Sequence, residues 1–203
     1  IGVDADASVY VYGGYTGPAG VYIGEDTLHG PFTSTFLAKY ADDGTLEWLR
    51  NCTSPGGISI YGATLDSTAN KLYIVGRYGN SCTLDTCTLS ASGGTGGFLS
   101  QWDLEGHCLW ARNVVISGTD LMGNSCTASA VAVDEQGRIL LGGTTTPYGP
   151  SFLAGHLVPQ GTFMAAYDAS GDTLWTRMIA SYQGDFASLY PISSRTWNGH
   201  VFV

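Results

Sequence analysis

The residues of this 203-residue chain with the greatest capacity for chemistry are five cysteines, four histidines and one glycosylation sequon. The cysteines stand at 52, 82, 87, 108 and 126. Cys82 and Cys87 enclose four residues, too wide for a redox Cys-x-x-Cys. A zinc site needs a second close pair of ligands, and His29, His107, His156 and His200 stand singly and far apart. The spacing therefore predicts a small hairpin loop closed by a Cys82–Cys87 disulfide. Asn51-Cys52-Thr53 is an acceptor pattern for N-glycosylation at Asn51. Cysteines, sequon and sparse charge together point to an oxidising setting, extracellular or at a cell surface. Asp4-Ala5-Asp6-Ala7-Ser8 alternates oxygen ligands as a calcium loop does, but lacks the glycine and distal glutamate of such a loop. Asp66 and Asp134 hold the same place as Asp4 without the alternation, so an aspartate that forms a turn is expected. No His-Glu-x-x-His, Gly-x-Ser-x-Gly or phosphate-cradling motif is present. The sequence predicts no catalytic residue, no cofactor and no metal ligand.

Composition narrows the classes further. Only 12% of residues are charged, while 44% are hydrophobic and 12% aromatic, the opposite of a disordered chain. Eight basic residues against 17 acidic ones give a formal charge of −9. Without a basic stripe, nucleic-acid binding and adsorption to anionic membranes are disfavoured. No apolar run approaches the roughly 20 residues that span a bilayer. The chain opens at Ile1 with no basic region and apolar core of a signal peptide, and is expected to be a processed protein or a piece of a longer one.

These residues sit on a repeat. Phe36-Leu37-Ala38-Lys39-Tyr40 recurs as Phe98-Leu99-Ser100-Gln101-Trp102 and as Phe163-Met164-Ala165-Ala166-Tyr167. A glycine turn follows each copy, and then a tryptophan: Trp48, Trp110 and Trp175, each 12 residues after its phenylalanine. Two residues past each tryptophan stands an arginine: Arg50, Arg112 and Arg177. Upstream, Val3-Asp4, Leu65-Asp66 and Val133-Asp134 each lead through a polar turn into an apolar run ending in glycine (Gly13, Gly76, Gly142). A fourth such opening, Ile192 to Gly199, leads into Val201-Phe202-Val203. The tryptophans lie 62 and then 65 residues apart, with the drift mainly after Trp-x-Arg, which marks a loop. Each unit reads as four short strands, a to d, rich in β-branched and aromatic residues and bounded by Gly, Asp, Asn and Ser. No stretch holds a helical period over a dozen residues. The expected fold is all-β: four-stranded antiparallel blades of a β-propeller, three blades and the start of a fourth, at about 1–60, 61–128, 129–188 and 189–203.

Val-Asp-turn-Val-Tyr-Val-x-Gly, Phe-Leu-Ala-Lys-Tyr and Asp-Gly-x-Leu-x-Trp-x-Arg resemble the SBBP-type β-propeller repeat over nearly the whole chain. The resemblance implies a secreted or cell-surface protein, a fold-specifying motif and no catalytic residue. The cysteines and the wide b–c loops depart from the family pattern. Asp103-x-x-Gly106-x-x-x-Trp110 and Asp168-x-x-Gly171-x-x-x-Trp175 also resemble quinoprotein repeats, without a vicinal cysteine pair or a calcium set. The glycine turns resemble sialidase Asp-boxes with one residue too many before the tryptophan. Arg50, Arg112 and Arg177 occupy equivalent places on successive units, so they are expected to stack locally beside their tryptophans rather than converge. In a four-stranded meander the end of strand d lies on the same face as the next strand a. That placement pairs Cys52 with Cys126 and leaves Cys108 buried or bonded outside the segment.

The expected function is a non-enzymatic structural or adhesive scaffold, meeting protein partners or itself through blade edges and loops. The alternative is a carbohydrate-binding propeller, with Tyr12, Tyr15, Tyr22, Tyr78, Tyr148 and Trp197 beside turns where rings stack on glycans. A hydrolase or quinoprotein built from loops is a third class.

Overall fold

A computed structural model describes residues 2–17, 20–117, 126–145, 151–181, 195–197 and 200–202. It is all-β, and every ladder is antiparallel. Among the described residues no helix is long and apolar enough to cross a membrane. The first meander is β1 (Gly2–Val3), β2 (Val9–Thr16), β5 (Thr33–Tyr40) and β6 (Leu46–Thr53), with a small hairpin of β3 (Val21–Ile23) and β4 (Asp26–Leu28) inserted after β2. The second is β7 (Ile58–Asp66), β8 (Lys71–Leu84), β9 (Cys87–Trp102) and β10 (Cys108–Ser117). The third is β11 (Thr127–Val133), β12 (Ile139–Thr145), β15 (Gly161–Tyr167) and β16 (Thr173–Ser181), with the insert β13 (Ser151–Leu153) and β14 (His156–Val158). A last hairpin joins β17 (Arg195–Trp197) and β18 (His200–Phe202).

The turns repeat because their chemistry repeats. In five of them the residue at the first position accepts the amide three residues on and gives its own amide to the carbonyl four residues on: Asp4, Ala41, Asp103, Asp134 and Asp168. The fourth residue of each has positive φ, and it is Gly44, Gly106, Gly137 and Gly171 in four cases and Ala7 (φ 60°) in the fifth. Where the first residue is aspartate, one carboxylate oxygen takes two further amides: Asp4 those of Asp6 and Ser8, at 3.0 and 2.9 Å. The other Asp4 oxygen accepts the Tyr10 hydroxyl at 2.9 Å. Asp103, Asp134 and Asp168 close their turns in the same way, so Asp4 is a turn-forming aspartate, as its place in the repeat suggested.

Partial burial works to raise the carboxyl pKa of Asp4, Asp103 and Asp134, but hydrogen bonds from Tyr10, His107 and Arg138 and from the turn amides outweigh it and hold all three below the ordinary value. A carboxyl with a depressed folded pKa contributes stability that is complete above its unfolded pKa and is lost as pH falls through the folded one. Thermal unfolding midpoints should therefore hold steady from neutral pH to about 5 and drop steeply below about 4. Asp134→Asn should lower the neutral-pH midpoint and flatten that acid limb, as read by circular dichroism melts.

Two apolar cores lie between successive meanders. Leu37, Tyr10 and Cys52 of the first meet Leu72, Ile74, Phe98 and Trp102 of the second. Tyr73, Val75, Leu99 and Val115 of the second meet Ile139, Leu141, Phe163 and Tyr167 of the third. Strand alternation explains the sharing: Leu72 and Ile74 point back, Tyr73 and Val75 point forward, so the middle sheet is buried on both faces. The phenylalanine of each unit lies across from a glycine: Phe36 from Gly13, Phe98 from Gly76, Phe163 from Gly143. In the third unit the structural counterpart of Gly13 and Gly76 is thus Gly143, one residue beyond the glycine suggested by sequence alignment of the runs. β7 packs on β1, β2 and β5, β11 on β7, β8 and β9, and β17 on β11.

Candidate functional site

What the repeated polar residues build is a clasp between one unit and the next. Trp48, on the forward face of β6, lies under the glycine turn of the second unit. A β-carbon on Gly106 would stand 2.9 Å from its ring. The Trp48 indole donates to Leu104 O at 2.9 Å. Arg50 stacks on Trp48, 5.4 Å from the ring centroid, and donates from Nε to Gly106 O (2.8 Å) and from Nη2 to Glu105 O (3.1 Å). The next junction repeats the arrangement. Trp110 lies 3.0 Å from where a Gly171 β-carbon would be, and Arg112 stacks on it and reaches Ser170 O at 3.4 Å. At this junction Gln101 Nε2 occupies Ala169 O (3.2 Å), the counterpart of Leu104 O, and the buried Trp110 Nε1 has no acceptor. Arg50 and Arg112 stack beside their tryptophans as their spacing implied, and they also bind a backbone turn more than 50 residues away. That second role has no local signal.

The b–c segments, expected as loops, form arms. In the second unit residues 81–84 and 87–90 pair as a hairpin beyond the irregularity at Gly79/Ser81, where Asn80 has φ 62°. This arm adds to the preceding unit's last strand, Leu84 opposite Cys52 and Thr83 opposite Thr53. In the third unit β13 adds to β10 in the same way, Leu153 opposite Val115. In the first two units an asparagine secures the arm with the same geometry: Asn51 accepts the Tyr15 hydroxyl at 2.7 Å and donates to His29 O at 2.8 Å. Asn113 accepts from Tyr78 at 2.5 Å and donates to Ser90 O at 3.1 Å. Asn113 belongs to no sequon, so this bond accounts for the asparagine at both places. Because Tyr78 is wholly buried and Tyr15 is not, Asn113→Ala should cost about 2 kcal/mol and Asn51→Ala about 1 kcal/mol. Urea denaturation of the two variants checks the ranking.

The arms also correct the cysteine assignments. The disulfide joins Cys87 to Cys108, with Cα atoms 6.0 Å apart, and ties the arm of the second unit to the start of β10. Cys82 and Cys87 do not bond. Cys82 faces Leu89 and Cys87 faces Leu84, so the two are diagonal in the hairpin, about 7–8 Å apart at Cα, beyond ordinary disulfide reach. Cys52 and Cys126 do not bond either. Cys52 lies in the first core and Cys126 in the second, a whole sheet away, with Cys126 Sγ 3.5 Å from Ser151 Oγ. The neighbour of the end of strand d is the incoming arm, not the next strand a. Cys108 is bonded within the chain rather than outside it. Burial pushes the Cys52 and Cys82 thiols up to about 12, so neither is a nucleophile at neutral pH.

Of the aromatics considered for glycans, Tyr15 and Tyr78 are buried and bonded to the asparagines. The Tyr12 hydroxyl donates to Tyr61 O, and Tyr22 is 79% exposed. Tyr148 lies outside the described residues, as does the side chain of Trp197. His107 Nδ1 lies 3.0 Å from Asp103 Oδ2 at an exposed turn. Among the described residues no group of three or more His, Cys, Asp or Glu is placed to hold a metal ion. A cleft of about 140 Å³ between the first two units is lined by Tyr10, Tyr12, Leu37, Leu65 and Leu72. It is well below the roughly 300 Å³ at which ligand pockets begin and holds no acid–base pair.

No family model matches this chain, and no curated protein matches it.

Proposed function

We propose that the chain is a run of β-propeller blades of the type it resembles, the SBBP repeat, acting outside the cell as a non-enzymatic structural or adhesive scaffold. The observation that carries this reading is the clasp. Each tryptophan and arginine of the repeat in the first two units is occupied in gripping the following unit, and none lines the cleft between the first two units. The stacked antiparallel meanders, each four strands wide, support a blade arrangement. The Cys87–Cys108 disulfide supports an oxidising compartment. Loops and arms at the rim are then where partners are met.

The purified protein, screened against glycosidic, ester and phosphoester substrates and a glycan array, should give no turnover and no retained glycan. Saturable turnover would replace the scaffold reading with an enzyme. Retention abolished by Tyr22→Ala would replace it with a carbohydrate-binding module.

A further inference from the structure

The two clasps are built from the same residues but are not closed alike. At the first junction the Trp48 indole donates to Leu104 O at 2.9 Å, and Arg50 makes two bonds, to Gly106 O at 2.8 Å and to Glu105 O at 3.1 Å. At the second, Ala169 O takes the Gln101 amide instead of the indole, and Arg112 reaches the turn through Ser170 O at 3.4 Å. Trp110 Nε1 is buried and has no acceptor among the described residues. The ring is also seated differently. A β-carbon on Gly106 would meet Cδ2, Cε2 and Cε3 of Trp48, the ring fusion and the carbon beside it, whereas one on Gly171 would meet Cε3, Cζ3 and Cη2 of Trp110, the outer edge of the six-membered ring. Trp110 is thus slid along its turn relative to Trp48, with its N–H out of bonding reach of Ala169 O.

The side chain across the ladder from each tryptophan accounts for the difference. It is Lys39 opposite Trp48, Gln101 opposite Trp110 and Ala166 opposite Trp175. Lys39 is held by Glu47, with Nζ 2.7 Å from Oε2, and leaves Leu104 O to the indole. The residue before Trp110 is Leu109, which offers no carboxylate, and a glutamine amide has two N–H groups to place. Gln101 Nε2 donates to the Tyr73 hydroxyl at 2.8 Å and to Ala169 O at 3.2 Å. One acceptor on the turn is therefore contested by two buried donors. With Gln101 on Ala169 O the indole N–H is unpaired. With the indole there, one amide N–H of Gln101 is unpaired while its bond to Tyr73 is kept. Each arrangement leaves a single buried N–H without a partner, so the two carry penalties of the same kind and both are populated.

We propose that the joint between the second and third units is a two-state latch, in which Gln101 and Trp110 exchange on Ala169 O. In one state, that of the structure, the amide holds the turn and the indole stands slid along it. In the other, the indole moves back to the seat that Trp48 occupies at the first junction, and the amide withdraws to Tyr73 alone. The exchange is a shear of one ring against a backbone turn and needs no strand to part. It makes this joint the more yielding of the two, since its turn is held by Arg112 at 3.4 Å where Arg50 holds the first twice, at 2.8 and 3.1 Å. The latch lies wholly inside the chain and does not depend on the scaffold reading.

Nuclear magnetic resonance of the isotope-labelled indoles tests it. The Trp110 Nε1–H signal should be broadened by microsecond-to-millisecond exchange, and its proton should exchange with solvent about tenfold faster than that of Trp48, the worth of one neutral hydrogen bond. Gln101→Leu, which keeps the stem and removes both donors, should sharpen the Trp110 signal and bring its solvent exchange to within about twofold of Trp48. The converse variant, Lys39→Gln, should broaden Trp48 and leave Trp110 as it was. Trp102, whose indole donates to Ser100 Oγ at 2.9 Å, reports in the same spectra that each variant is folded. A wild-type Trp110 signal as sharp and as protected as that of Trp48 overturns the proposal. So does a Trp110 signal that stays broad in folded Gln101→Leu, or a Trp48 signal unmoved in folded Lys39→Gln. The scaffold reading is decided separately, by the substrate and glycan screens.

Discussion

Gly76→Ala is expected to lower the thermal midpoint by roughly 10 °C, about 3 kcal/mol for a chain of this length, while Gly13→Ala costs under about 1 kcal/mol. The two glycines hold the same place in successive units, each across from the repeated phenylalanine. At Gly76 an added β-carbon would stand 2.1 Å from Ser59 O as well as 2.7 Å from the Phe98 ring. Neither neighbour can yield: Ser59 O belongs to the β7 backbone, and Phe98 is fully buried in the first core. At Gly13 the close atoms belong only to Phe36, 2.6 Å away at nearest, and that ring is a side chain only half-buried. Gly143→Ala should behave as Gly76→Ala does, because Thr127 O (2.1 Å) and buried Phe163 confront it. Scanning calorimetry of the three variants reads the ranking directly. Equal losses at all three positions would refute the account.

Removing the disulfide is the second large effect. Cys87 and Cys108 are 21 residues apart, and opening a loop of that size should cost about 3 kcal/mol by the chain-entropy relation. The loss has a particular location. Thr86 Oγ1 donates to Cys108 O, Cys108 N donates to Asp85 Oδ2, and the arm tip carries the ladder to β6. Cys87→Ser/Cys108→Ser should therefore lower the unfolding midpoint in urea and raise amide exchange at Thr83 and Leu84 before exchange rises at Ile74 or Leu99. Reduction of the wild-type protein should reproduce both changes. Cys82→Ser offers the contrast: no bond is lost, and the variant should remain unaffected by reductant beyond the wild-type response.

Much of the strand order is local information, and the sequence carried it. The Val-Asp turns, the glycine turns before each tryptophan and the alternating apolar runs depend on contacts within about ten residues. Side-chain period and positive φ are properties of the residues themselves. The Asp4 turn was legible for that reason, since its aspartate bonds amides two and four residues away.

The cysteine pairing was not legible, because it depends on where an inserted hairpin folds. From sequence alone Cys82 and Cys87 are neighbours. In the folded chain a bend near Asn80 swings their hairpin onto β6, and Cys108 becomes the partner within reach. The clasp was half legible. Trp48 and Arg50 were marked by their spacing, but the acceptors Leu104 O, Glu105 O and Gly106 O are backbone atoms about 55 residues on. A carbonyl has no residue type, so no sequence pattern can name it. Nor could sequence separate Phe36 from Phe98, identical in motif yet half-exposed in one unit and closed over in the other. The sequence by itself determined the repeat, the strands and the turns. The tertiary structure alone decided which faces meet and which stay open, because burial belongs to pairs of units and not to any one of them.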